Sequence, residues 1–364
     1  MNKIKVFLAR KGVVCSFRQY GVDALGAMAQ GLFCTLLVGT ILNTLGQQLH
    51  IGFLTAPVVS VGTVSYTVGG LASAMVGPGI AVAIGTALHC PPLVLFSLIP
   101  VGFAANAMGG AGGPLAVYAV TIIAAELGKL VSKETRIDIL VTPCVTVIAG
   151  IAVAQLIAAP IGTAARAVGL AIMWATELQP FFMGVLVSAL IGIALTLPIS
   201  SAAICAAFGL TGLAGGAAVA GCCAQMVGFA VTSFKENRWG GLVAQGVGTS
   251  MLQMPNILKN PRIWIPPTLA SMITGPLATC VFKLQMNGSP VSSGMGTCGF
   301  VGQIGVYTGW VSDIAAGTKA AITPMDWIGL VLICFILPAV LSTLFCRVLE
   351  KRGWIREGDM KLDL

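Results

Sequence analysis

Charge is scarce along this chain: 9% of its 364 residues are Asp, Glu, Lys or Arg, where a soluble domain carries roughly a quarter. A water-facing shell for a chain of this length needs far more ionisable side chains, whereas lipid accepts apolar surface directly. With 57% apolar residues and a mean hydropathy of +0.95, the sequence reads as an all-α integral membrane protein. The 46 glycines follow no G-X-Y period and fall inside apolar runs. In lipid, where no hydrophobic drive pulls helices together, such glycines read as close helix packing and interrupted segments.

The eleven cysteines sit mostly within apolar stretches, as at Cys34, Cys144, Cys205 and Cys334, and show neither disulfide-scaffold nor zinc-ligand spacing. They read as small hydrophobes. His50 and His89, the two histidines, lie far apart in sequence, so no metal and no cofactor is expected. The basic N-terminus, residues 1–21, lacks the long apolar core and cleavage site of a signal peptide. Net charge of +8 gathers there, at 348–364 and in short connections, which is the signature of cytoplasmic faces and not of nucleic-acid binding.

A helix needs about twenty apolar residues to cross hydrocarbon. Ten such spans are placed at 22–47, 56–76, 79–104, 114–131, 137–158, 180–198, 200–216, 217–234, 265–284 and 325–347. With the N-terminus inside, the basic connections Lys129 to Arg136, Lys235 to Arg238 and Lys259 to Arg262 fall inside, as does the C-terminal tail. The connections at 47–55, 106–113 and 287–324, nearly free of Lys and Arg apart from Lys319, fall outside. The expectation is one transmembrane domain over 1–364 in the plasma membrane, both termini cytoplasmic, with an amphipathic linker at 159–179 lying along the bilayer surface.

Helix breakers interrupt several spans: Gly77-Pro78-Gly79, Pro91-Pro92, Pro198, the glycine-rich run 209–221 and Pro266-Pro267. Broken backbone survives at membrane depth where it lines a cavity or is buried in protein, so these breaks point to a central site, or to kinks and close packing. GAGGPLAVY from Gly110 and GFVGQIGVY from Gly299 share Gly, Gly, Val and Tyr at the same offsets. That echo reads either as repeat symmetry or as a chance match in a glycine-rich chain.

An intramembrane amide or carboxyl is costly unless it faces a partner or a cavity, which makes each one a site candidate. Asn106, Gln225, Gln253 and Asn256 belong to this group, Gln225 deepest of all. Ser293 to Gln303, with Thr297, offers hydroxyls, backbone amides and an amide side chain, either as a re-entrant loop or as a structural turn. Glu177, in WATELQP, reads as a sugar-hydroxyl acceptor or proton carrier, or as a solvated interfacial residue. Glu126 and Lys129 have the spacing of a structural ion pair. Amides, hydroxyls and indoles suit neutral polyols, whose hydroxyls both donate and accept. No nucleophile elbow, phosphate loop or zincin motif occurs, so catalysis and self-powered ATP hydrolysis are not expected.

The runs KLVSKETR from Lys129, WATELQP from Trp174, GCCAQMVGF from Gly221, GVGTSMLQMPN from Gly246 and KNPRIWIPP from Lys259 together resemble the membrane EIIC-like proteins of the bacterial sugar phosphotransferase system. The similarity is to the branch that includes perfringolysin-regulator-type proteins of Gram-positive bacteria, and it extends over nearly the whole chain. The resemblance implies a ten-helix, homodimeric, transporter-like domain with a sugar-type site enclosed by re-entrant hairpins. It also implies soluble phosphotransferase partners, because no phosphoryl-carrying domain follows the last helix here. The glucose-like permeases' Glu-Pro-type motif has no clear counterpart beyond ELQP, Glu177 to Pro180. The expected function is a permease for a sugar or similar polar small solute, working by alternating access. The rival is a membrane-embedded ligand sensor that reports to a cytoplasmic regulator without net transport.

Overall fold

A computed structural model of the chain describes residues 7–8, 10–13 and 16–362. Residues 1–6 of the expected cytoplasmic N-terminus and residues 363–364 of the tail lie outside the described residues. The chain is an all-α membrane protein that crosses the bilayer several times. Five described helices are long and apolar enough to span hydrocarbon, or six if the pair Val68–Ala74 and Val76–Ala87, bent by 54°, counts as one. The chain forms two compact units, 1–164 and 165–364.

The first unit opens with the helix Arg18–Gln48, where the expected first span lies. The expected span 56–76 is a helix only from Val68. Its first half is an exposed antiparallel hairpin of Val59–Val61 and Val64–Tyr66, with Val59 opposite Tyr66 and Gly62 at φ +62° in the turn. Alternating Val, Ser and Tyr around a glycine favour strand over helix, a preference that a hydropathy window does not see. Thr67 then caps the helix: its hydroxyl accepts the Gly70 N–H at 3.0 Å and donates to Asn43 Oδ1 at 2.7 Å.

The expected span 79–104 is cut into Val76–Ala87 and Pro92–Gly109. His89 sits at φ +53°, and Pro91 and Pro92 cannot continue the preceding helix because they lack an N–H. The two pieces pack on each other so closely that a Cβ on Gly77 would stand 2.3 Å from the Gly102 carbonyl oxygen. Gly113–Val131 follows and packs on both. The next helix runs unbroken from Asp138 to Thr176, so residues 159–176 continue an apolar helix that contains Pro143 and Pro160. Its start is fixed by Asp138, whose Oδ1 accepts from the Lys133 N–H at 2.7 Å and the Thr142 hydroxyl at 2.6 Å.

Glu126 and Lys129 form the pair their spacing predicts, at 2.9 Å. The Lys129 ammonium, 2% exposed, also donates to the carbonyls of Gly12 and Leu88 at 3.1 and 3.2 Å. Nearby, Arg10 and Lys11 converge on Glu134 at 2.9 and 2.5 Å. The Lys11 hydrogen bond, helped by both positive charges, holds the Glu134 carboxyl below its ordinary value of 4.5. A lowered acid contributes fully above its unfolded value and loses that contribution as pH falls through the lowered one. A spin label at Thr135, exposed beside Glu134, should therefore gain mobility as the medium becomes more acid than pH 4.5. Glu134→Gln should show that mobility at every pH; equal mobility in the two proteins at neutral pH would remove Glu134 as the anchor.

In the second unit the glycine-rich helix Gly212–Thr232 is almost wholly buried. Pro180–Thr196, Ile265–Pro276 and Leu337–Lys351 pack on it or on each other. Glycine is required at these crossings. A Cβ on Gly216 would lie 1.7 Å from the Leu284 oxygen, one on Gly221 1.9 Å from the Ser188 oxygen, and one on Gly275 2.1 Å from the Gly184 oxygen. The segment 287–324, expected as an outer connection, contains the half-buried turn Pro290–Ser293 and the helix Val301–Ala315, which is too short for a span-length window to register.

At the sequence echo, Gly110 (φ +52°, ψ −123°) and Gly299 (φ +51°, ψ +22°) each sit in a single 3-10 turn before a helix, but in different backbone conformations. The described cysteines are free thiols.

Candidate functional site

The polar groups of the second unit gather on two sides of Gly212–Thr232. On one side Gln225, fully buried, meets Pro180–Thr196 and Ile265–Pro276. Its Nε2 donates to Thr268 Oγ1 at 3.1 Å; its Oε1 accepts from the Trp264 indole at 3.0 Å and from Thr196 Oγ1 at 3.4 Å. Thr196 in turn shares a 2.8 Å hydroxyl contact with Ser250. The amide is thus well supplied, as a buried amide must be. Gly192, whose Cβ would stand 2.8 Å from the Gly221 oxygen and 3.1 Å from Gln225 Cγ, lets the helices close over it.

On the other side lies the loop that joins Pro290–Ser293 to Val301–Ala315. Gly296, Gly299 and Phe300 all adopt positive φ, which folds the loop tightly against Cys222 and Cys223. A Cβ on Gly296 would meet Cys222 Cβ at 2.6 Å. Ser293 donates to the Leu210 carbonyl at 2.6 Å, and Ser201 donates to the Gly294 carbonyl at 2.7 Å. The loop is therefore pinned at its start, and it is buried through Cys298.

Thr297 in this loop and Gln303, in the first turn of the helix that follows, are poorly partnered. Thr297 Oγ1 reaches only the Met226 sulfur, at 3.5 Å, and Gln303 Nε2 reaches the Cys223 sulfur at 3.2 Å. Gln303 Oε1 is buried with no hydrogen-bond partner among the described residues. Sulfur is a weak acceptor, and an unpaired buried acceptor is costly and rare. Gln225 and Cys223, two residues apart on one helix, point about 160° away from each other. Gln225 and Gln303 are therefore not one site.

The helix Val301–Ala315 carries Gln303 in its first turn and Trp310 and Asp313 near its other end, about 10–15 Å along the axis. There a polar cleft of about 500 Å³ opens, lined among others by Phe282, Asn287, Trp310, Asp313, Lys319 and Asp326. Lys319 and Asp326 pair at 2.9 Å, and Asn287 Nδ2 donates to Asp313 Oδ2 at 2.8 Å. Sequence reasoning missed this cleft; its one signal was Lys319, alone in a connection otherwise nearly free of cations.

The other expected residues have different settings. Gln253 and Asn256 are buried and already bonded: Gln253 Nε2 to Gln245 Oε1 and the Met360 carbonyl, both at 2.9 Å, and Asn256 Nδ2 to Gln253 Oε1 at 2.9 Å and the Lys361 carbonyl at 2.8 Å. Glu177 is exposed in the turn after Thr176. Asn106 belongs to the first unit, half-buried beside Gly77 and Gly113. Trp264, Thr268, Thr196 and Ser250, which sequence reasoning did not name, complete the surroundings of Gln225.

Glycine-locked crossings, buried amides and a tightly folded buried loop lie inside an apolar multi-helix bundle. The family model described as phosphotransferase system, EIIC, matches residues 22–362, and the chain belongs to that family. No curated protein and no solved structure matches it.

Proposed function

We propose that the chain is the permease component for a sugar or similar neutral polar solute, held in the second unit at Gln303 and Thr297 and moved by alternating access. The observation that carries this reading is the unpaired Gln303 Oε1, with Gln303 Nε2 and the Thr297 hydroxyl each having no better partner than sulfur among the described residues. A solute hydroxyl can donate to such an oxygen. Gln225, fully bonded here, serves as the neighbouring helix contact whose bonds exchange when the helices shift. Glu177, Asn106, Gln253 and Asn256 remain further contact candidates in other conformations.

The reading keeps ten crossings, the short and broken helices accounting for those beyond the five long ones, and a homodimer in the plasma membrane. It places both termini in the cytoplasm. Within the first unit Arg10 and Lys11 meet Glu134, and within the second the 235–262 connections meet the tail; such clustered cationic segments favour the cytoplasmic side.

Purified protein in liposomes, with and without soluble phosphotransferase components, should take up at least one member of a panel of labelled sugars. Gln303→Leu should lower that uptake about tenfold, the worth of one buried hydrogen bond, with the protein remaining monodisperse. Uptake that is unchanged in Gln303→Leu moves the solute elsewhere; uptake of no sugar under either condition removes the permease reading.

A further inference from the structure

Residues 354–362 lie in a cleft of the second unit whose walls are side chains of 232–262, and those side chains read the segment's main chain. Glu236 accepts the Gly358 and Met360 N–H groups at 2.9 and 3.0 Å. Asn237 accepts the Leu362 N–H and donates to the Met360 carbonyl, both at 2.8 Å. Gln253 donates to the same Met360 carbonyl, and Asn256 to that of Lys361, at 2.9 and 2.8 Å. Asn260 Nδ2 reaches the Trp354 carbonyl at 3.0 Å and Asp359 Oδ2 at 2.7 Å.

One side chain anchors the segment. Met360 is 2% exposed, its sulfur 3.6 Å from the Thr232 hydroxyl, and Arg262 stacks over Trp354 at 5.1 Å. Main-chain hydrogen bonds combined with a pocket for one side chain are how proteins hold extended peptides. A polar cleft of about 230 Å³, lined by Asn256, Lys259, Gly358, Asp359 and Lys361, stays open beside the segment, so water can replace these bonds when it leaves.

We propose that Glu236, Asn237, Gln253, Asn256 and Asn260 form a peptide-binding site, whose ligand is main chain carrying a methionine-sized apolar anchor, occupied in cis by residues 354–362. Occupancy bears on the helices around Gln225. Gln253 closes the 3-10 turn Ser250–Gln253, and Ser250, at the turn's other end, meets Thr196. A docked segment thus holds that turn against Thr196, and an empty site releases it. This goes beyond the solute reading and does not rest on it.

The test uses the full chain in detergent and a fluorescent peptide of residues 353–364. Met360→Arg removes the anchor. Gly358→Pro, on the exposed part of the segment, removes an N–H that Glu236 accepts and forces a residue now at φ +96° to negative φ. Each variant should bind the peptide saturably and at least tenfold more tightly than the unaltered chain, whose site is already filled. Adding Asn256→Ala to either should weaken binding several-fold. Absence of binding to both variants, or equal binding to the unaltered chain, overturns the proposal. Neither result depends on whether any solute is transported.

Discussion

Lys129→Met is expected to destabilise the protein by about 3–5 kcal/mol, the usual cost of removing one partner from a buried charge pair. The substitution strands the Glu126 carboxylate, which faces Lys129 at 2.9 Å and accepts no hydrogen bond among the described residues. It also strips a donor from the carbonyls of Gly12 and Leu88. Thermal unfolding in detergent reads the loss. Adding Glu126→Leu should recover most of it, because two apolar side chains leave no charge behind. A double variant no more stable than Lys129→Met would show that the pair is not what the ammonium is there for.

Gly221→Val is expected to prevent the second unit from packing, at a cost of about 3 kcal/mol or more, the upper range for overfilling a packed core. Its Cβ would fall 1.9 Å from the Ser188 carbonyl oxygen, with Ser188 Cα at 2.7 Å. These are backbone atoms of a neighbouring helix, so no rotamer change relieves the clash. Gly240→Ala is the control, since a Cβ there meets nothing within 4 Å; it should stay within about 0.5 kcal/mol of the parent. If both proteins elute and unfold alike, close helix approach is not the reason for glycine at 221.

The ends of several helices were legible because lipid imposes a length and proline and glycine impose breaks. Arg18–Gln48, Gly113–Val131, Pro180–Thr196 and Pro324–Lys351 fall near their expected places. The break at Pro91-Pro92 was legible from the prolines themselves; the hairpin at 59–66 was not, because a hydropathy window sums apolarity and ignores backbone preference. Burial of Gln225, Gln253, Asn256 and Gln303 was legible too, since an amide amid apolar residues must turn inward.

Their partners were not. Gln253 and Asn256 meet carbonyls 107 and 105 residues away, and local sequence gives no measure of such a closure. Nothing in the polar run around Asp359 signals that Met360 is buried. Gln303 reads from sequence like Gln225; only coordinates show one amide supplied on both atoms and the other left with an empty oxygen.

The seating of Leu362 on Asn237 has a practical bearing on how this protein is handled at the bench. A purification tag or fluorescent reporter fused after residue 364 has only Asp363 and Leu364 between itself and that bond. A folded body so placed competes with the cleft walls for space, so tagged and untagged preparations will differ in how often the seat stands empty.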